Sequence, residues 1–174
     1  NILENKSILK TAKDFKYIAQ LFKRYGINID GLHFDTTIAS HLLNPLVKSI
    51  SLSSLSIEYL NYDMMSLDEL IGKGQKQIPL NEVPLEKIAF YSSEETDITF
   101  QLTHLLDNKL KDEGISKYFY EIEMNLLFVL IQMEYEGVFV DSKLLEDMSN
   151  KVGKKINKLV SSIYLIAGEK FNIN

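Results

Sequence analysis

Apolar residues recur three or four positions apart through most of this sequence, and loose alternation of apolar and polar residues is confined to one short stretch, 27–34. That periodicity restricts the chain to a helix-dominated fold with little sheet. Residues 8–25 carry Ile8, Ala12, Phe15, Ala19 and Phe22 at helical spacing, closed by Gly26. Residues 27–34 read as a short strand, and Asp35-Thr36 opens a helix that runs to about Leu43, where Asn44-Pro45 stops it. The serine-rich stretch 49–56 keeps a helical beat in Leu52, Leu55, Ile57 and Leu60, which predicts a loop and then a short helix.

Local capping chemistry sets the remaining elements. Ser66 and Glu69 have capping-box spacing, so a short helix follows them until Gly72-Lys73-Gly74 turns the chain. Pro84 suits a helix start, and that helix continues to about Lys111, with a bend expected near Tyr91. Asp112-Glu113-Gly114 is the expected domain junction. Beyond it, residues 117–136 form a helix with Phe119, Ile122, Leu126, Leu127, Leu130 and Met133 as its apolar stripe. Gly137 ends it, Val138-Phe139-Val140 forms a short extended segment, and Asp141 caps a long helix over 142–167 that Gly168 closes. The stripe of that last helix is Leu145, Met148, Val152, Ile156, Leu159, Ile163 and Ile166.

Composition narrows the function. The 174 residues contain 45% hydrophobic side chains, enough for a real core, and no cysteine, which excludes disulfides and thiolate metal sites. The absence of cysteine fits a reducing cytoplasm, the expected location. The longest apolar run, 125–131, is too short to span a bilayer, so no membrane partner is expected. A net charge of −5 argues against autonomous binding of a phosphate backbone. Lysines still cluster at Lys10, Lys13, Lys16 and Lys23, and at Lys151, Lys154, Lys155 and Lys158, which read first as solvated helix faces. His33, His41 and His104 lack metal-ligand spacing, Gly72-Lys73-Gly74 lacks the phosphate-loop pattern, and Asp35 reads as a helix cap. The start at Asn1 and the stop at Asn174 suggest a piece of a longer protein.

An ordered series of phrases carries a resemblance. Tyr25-Gly26-Ile27 precedes Gly31 and Phe34-Asp35-Thr36, and Glu69-Leu70-Ile71-Gly72-Lys73-Gly74 precedes Gln77. Pro84-Leu85-Glu86 leads to Tyr91, Glu94 and Asp97-Ile98-Thr99. Glu121-Ile122-Glu123-Met124, Met133-Glu134, Gly137-Val138, Val140-Asp141 and Ala167-Gly168-Glu169 follow. In this order and at these intervals they resemble bacterial DNA polymerase I, a family-A DNA polymerase, over nearly the whole chain.

The resemblance implies an α/β, helix-dominated architecture in two parts. Residues 1–112 resemble the C-terminal half of a ribonuclease-H-like 3′–5′ exonuclease domain, and residues 115–174 the helices that open the polymerase domain toward its thumb. It implies a parent enzyme that adds deoxynucleotides to a primer 3′ end with magnesium, as a monomer, with primer–template DNA and deoxynucleoside triphosphates as partners. The polymerase motifs and the first exonuclease motif, an Asp-x-Glu, are not among these residues, and no metal is expected on this piece. Two-metal hydrolysis needs carboxylates held in register. Tyr91 and Glu95 stand at the spacing of the family's Tyr-x-x-x-Asp motif, but with Glu for Asp, which moves the carboxylate by roughly 1.5 Å. The other motif, Asn-x-Lys-Tyr/Phe-Asp, matches Asp14-Phe15-Lys16-Tyr17-Ile18, so Ile18 takes the place of a metal-binding Asp and Asp14 is the candidate substitute. The expectation is a silent exonuclease fold kept as a scaffold, with Lys151, Lys154, Lys155 and Lys158 as candidate DNA contacts. The rivals are an active proofreading nuclease using Asp14 and Glu95, and a non-catalytic interaction module.

Overall fold

A computed structural model describes residues 2–46 and 50–173. It divides into two compact units, Asn1–Glu136 and Gly137–Asn174.

The first unit is built on a two-stranded parallel sheet. Strand β1 (Lys10–Ala12) pairs with β2 (Leu32–Asp35), Thr11 opposite Phe34 and Ala12 opposite Asp35, with an irregularity between Lys10 and Thr11. This corrects the helix expected over 8–25. Helix α1 covers only Phe15–Arg24, because Asp14 adopts φ 59° and separates strand from helix. Three residues whose partners lie 22–23 positions on carry no periodicity that distinguishes them from a helical turn. The strand expected over 27–34 also shortens to Leu32–Asp35. Gly31 makes the approach to it at φ +74°, where a Cβ would stand 2.5 Å from the Ile8 carbonyl oxygen, so only glycine fits.

Helix α2 (Thr36–Leu43) starts on its Asp35 cap as the sequence predicts. Helix α3 (Leu52–Leu55) passes directly into a π-helical turn, Ser56–Leu60. The first residue of the serine-rich stretch, Ser49, lies outside the described residues. Helix α4 (Leu67–Ile71) has the Ser66/Glu69 capping box, and Gly72 ends it at φ 88°. Helix α5 (Leu85–Asp112) runs unbroken through Tyr91 for 28 residues. Its Ile98, Leu102, Leu106 and Leu110 fall on one side and are buried with Phe15, Phe34, Ala39, Leu52 and Leu55.

At 112–116 the helix breaks, with Gly114 at φ 69°, and α6 (Ser116–Tyr118) begins. Packing continues across that break. Phe119 is fully buried with its ring centroid 4.8 Å from Phe34, and Tyr120 donates a 2.9 Å hydrogen bond to Asp107 of α5. A π-helical turn, Phe119–Glu123, joins α6 to α7 (Met124–Glu136). That turn corrects the expected stripe. Its extra residue advances the register, so the inward positions are Phe119, Met124, Leu127 and Ile131, whereas Ile122, Leu126 and Met133 are exposed and Leu130 is half-buried.

The second unit is helix α8 (Ser142–Ala167), capped by the Asp141 side chain on the Leu144 amide and closed by Gly168 in the left-handed region. Val138–Val140 joins no strand. The apolar stripe predicted for α8 forms one face, but Leu145, Met148, Val152, Ile156 and Leu159 are about half exposed.

Candidate functional site

The end of β1, the start of α1 and the middle of α5 enclose a cleft of about 560 Å³. Asp14 lines it from the cap of α1, Tyr17 and Ile18 from α1, Glu95, Thr96 and Phe100 from α5, and Leu52 from α3. Asp14, Ile18 and Glu95 all line this cleft, the substitute candidate beside the two altered motif positions.

Asp14 does not sit inside a helix, as the sequence suggested. It caps α1 from a left-handed backbone, its Oδ1 accepting a long 3.4 Å bond from the Tyr17 amide. Its side chain is exposed. Ile18, one turn on, is half-buried and packs against the main core, so an aliphatic surface stands where the resemblance led to the expectation of a missing carboxylate.

Tyr91 and Glu95 share one face of α5, and the Tyr91 hydroxyl donates to Glu95 Oε1 at 2.9 Å. Burial and then this bond push the Tyr91 pKa up to about 12, which keeps it a neutral donor near pH 7. Glu94 faces elsewhere. It accepts 2.7 Å from the Tyr62 hydroxyl and 2.9 Å from the Met65 amide, holding the 61–66 segment on α5. Sequence reasoning gave Glu94 no role. The adjacent acids Glu94-Glu95 were the available signal, since neighbours on a helix point in different directions.

Asp35 was read as a cap, and it does more than that. Oδ1 accepts from the amides of Thr37 (2.8 Å) and Ile38 (3.1 Å), and Oδ2 accepts from Phe15 at 2.7 Å. One buried carboxylate thus closes the N-termini of both α1 and α2. Burial raises its pKa, and the three amide bonds oppose that shift.

The donor set does not fit a two-metal centre. Among the described residues, no group of three or more His, Cys, Asp or Glu side chains gathers where a metal ion would sit. The cleft offers two carboxylates, one engaged by Tyr91, whereas magnesium demands near-octahedral oxygen ligation. His33 stacks on Tyr120 at 5.5 Å and His104 packs edge-on to Phe100 at 4.7 Å. Lys151, Lys154, Lys155 and Lys158 are exposed along α8, in the second unit. Among the described residues no helix is long and apolar enough to cross a membrane.

The family model described as DNA polymerase I, ribonuclease H-like domain, matches residues 1–92. The chain is 31% identical over 172 residues to DNA polymerase I of Rhizobium leguminosarum, covering 99% of this chain and 17% of that protein. It is 34% identical to DNA polymerase I of Chloroflexus aurantiacus over 168 residues, 95% of this chain and 18% of the relative. The chain therefore spans less than a fifth of the length of these relatives. A solved structure of the POL domain of Pol1 from M. smegmatis, in complex with DNA primer-template and dNTP, superposes with a TM-score of 0.74 at 19% identity. It covers 98% of this chain and 26% of that one, and it bears on the fold alone.

Proposed function

Since this chain belongs to the DNA polymerase I family, we propose that its parent protein is a DNA-directed DNA polymerase that extends a primer 3′ end in replication and repair. Its partners are primer–template DNA and deoxynucleoside triphosphates, its metal is magnesium bound elsewhere in the parent, and it works as a cytoplasmic monomer. The observation that carries this reading is similarity to DNA polymerase I along 95–99% of the chain, on both sides of Gly114. In this reading residues 1–112 are the C-terminal half of the exonuclease-like domain and 115–174 open the polymerase domain. A parallel sheet of two strands among the described residues supports the first assignment, because such sheets are ordinarily larger and covered on both faces.

The exonuclease-like part is silent and structural. Ile18 supports this most directly: it lies in the cleft with Asp14 and Glu95 and offers no oxygen to a cation. Asp14 and Glu95 sharing that cleft is the one observation that favours the rival, a nuclease rebuilt on substitute ligands.

Primer extension by the parent, and none by the 174 residues alone, tests the polymerase reading. Digestion of a labelled single-stranded oligonucleotide by the parent in magnesium or manganese tests the silent cleft. Robust 3′ trimming that disappears in Asp14→Ala or Glu95→Ala would establish the rival.

A further inference from the structure

Helix α1 has three faces. Phe15 and Ala19 are buried in the core, and Asp14, Tyr17 and Ile18 line the cleft. Lys16, Gln20 and Lys23, at i, i+4 and i+7, form the third face and meet α7. Lys16 Nζ donates to Glu134 Oε1 at 2.7 Å and Gln20 Nε2 to Glu134 Oε2 at 2.8 Å, so both carboxylate oxygens are held from successive turns of α1. Lys23 Nζ donates to Gln132 at 2.6 Å and stands 4.1 Å from the centroid of the Tyr135 ring. The partners Gln132, Glu134 and Tyr135 occupy the last turn of α7, directly before Gly137, where the first compact unit ends. Glu134's carboxyl is held below the usual range by the Lys16 and Gln20 bonds, and Lys16 is correspondingly raised by Glu134.

We infer that this third face of α1 is a docking clasp for α7, and that Glu134 is a positioning residue fixing the first long helix of the polymerase part on the exonuclease-like body. The inference rests on the polymerase reading above and gives the silent domain its task. The helix bearing the altered nuclease motif no longer supplies the family's Asp at Ile18, yet its other face carries a polar anchor matched residue by residue to α7. A lone exposed ion pair contributes little. Here a doubly held carboxylate, a second ammonium bond and a cation–π contact converge on one helical turn, which favours a single register of α7 over its alternatives.

The experiment uses the full-length parent with Glu134→Gln, Glu134→Lys, Lys16→Glu and the double exchange Lys16→Glu/Glu134→Lys. Two readouts are taken: hydrogen exchange at the amides of residues 130–136, and primer-extension kcat and KM. The expected result is exchange about threefold to fivefold faster in each charge-reversed single variant, with a smaller effect in Glu134→Gln and recovery in the double exchange. Primer extension should fall and recover in parallel, in kcat rather than in KM for deoxynucleotide. Unchanged exchange in Glu134→Lys, or no recovery in the double exchange, would overturn the clasp. Absence of extension in the unsubstituted parent would instead overturn the polymerase reading and leave the exchange result standing.

Discussion

The Asp35 carboxylate reaches back twenty residues to the amide of Phe15, 2.7 Å away, and so ties the start of α1 to the start of α2. Because β1 pairs with β2 immediately before these helices, this bond fixes where α1 leaves the sheet, and with it the wall of the cleft.

Replacing Asp35 with Ala strands the Phe15, Thr37 and Ile38 amides. The expected cost is about 2–4 kcal/mol, from a lost cap plus a buried donor left unpaired. Much faster hydrogen exchange at those three amides is the local readout. Asp35→Asn removes the titrating group but also exchanges one accepting oxygen for a donating NH2, so the pH dependence of the difference, not its size, reports ionisation. Burial raises the folded pKa of Asp35 above its ordinary value, so its favourable contribution is complete below that value and is lost as pH rises through the raised one. Wild type should therefore lose stability relative to Asp35→Asn as pH climbs from below the ordinary carboxylate range to above it. Asp107 titrates in the opposite sense. Desolvation acts against its charge, but Lys111 and Tyr120 together bring its pKa below the usual range, so its contribution is lost as pH falls. It is common to both proteins and cancels in the comparison. A pH-independent difference would refute the assignment.

Tyr91 gives a second test at the cleft. Ultraviolet titration of tyrosinate sums all the tyrosines, and the difference between the unsubstituted chain and Tyr91→Phe should be a component near pH 12. Glu95→Gln removes the carboxylate's share of the shift and leaves the larger share due to burial, so the transition should move down without reaching the ordinary 10.0. A Tyr91 transition that does not move in Glu95→Gln would mean that its hydroxyl is not committed to Glu95.

What the sequence made legible was local. The Asp35, Ser66 and Asp141 caps and the stops at Gly72 and Gly168 depend on chemistry within a few residues, and each lies where it was expected. The misread elements depend on distant partners or altered period. β1 exists because Leu32–Asp35 lies beside it, and the stripe of α7 shifted because a π turn added one residue. At the cleft, motif spacing singled out Ile18 and Glu95, and both line it. The bonds of Glu94 to Tyr62 and Met65, and of Glu134 to Lys16 and Gln20, link positions roughly 30 and more than 110 residues apart, and although the pair Glu94-Glu95 hints at a second role for Glu94, no local pattern names the partners.

The lysines of α8 yield the last prediction. Lys151, Lys154, Lys155 and Lys158 recur three, one and three apart, so they share one flank of the helix beside its apolar stripe, and all four are exposed. The chain as a whole carries a charge of −5, so any attraction for DNA must be concentrated locally rather than spread over its surface. If these ammonium groups neutralise primer–template phosphates in the parent, each contact releases condensed counterions. The plot of log affinity against log salt should then become shallower by about 0.9 for each contact removed, and by up to about 3.6 in the fourfold Lys→Ala variant. Affinity should fall by a similar factor on unrelated duplex sequences, because phosphates carry no sequence information. The measurement is duplex binding by the full-length parent and its fourfold variant across a salt series, with circular dichroism confirming that α8 is retained. An unchanged slope would assign these lysines to a solvated helix face with no part in holding DNA.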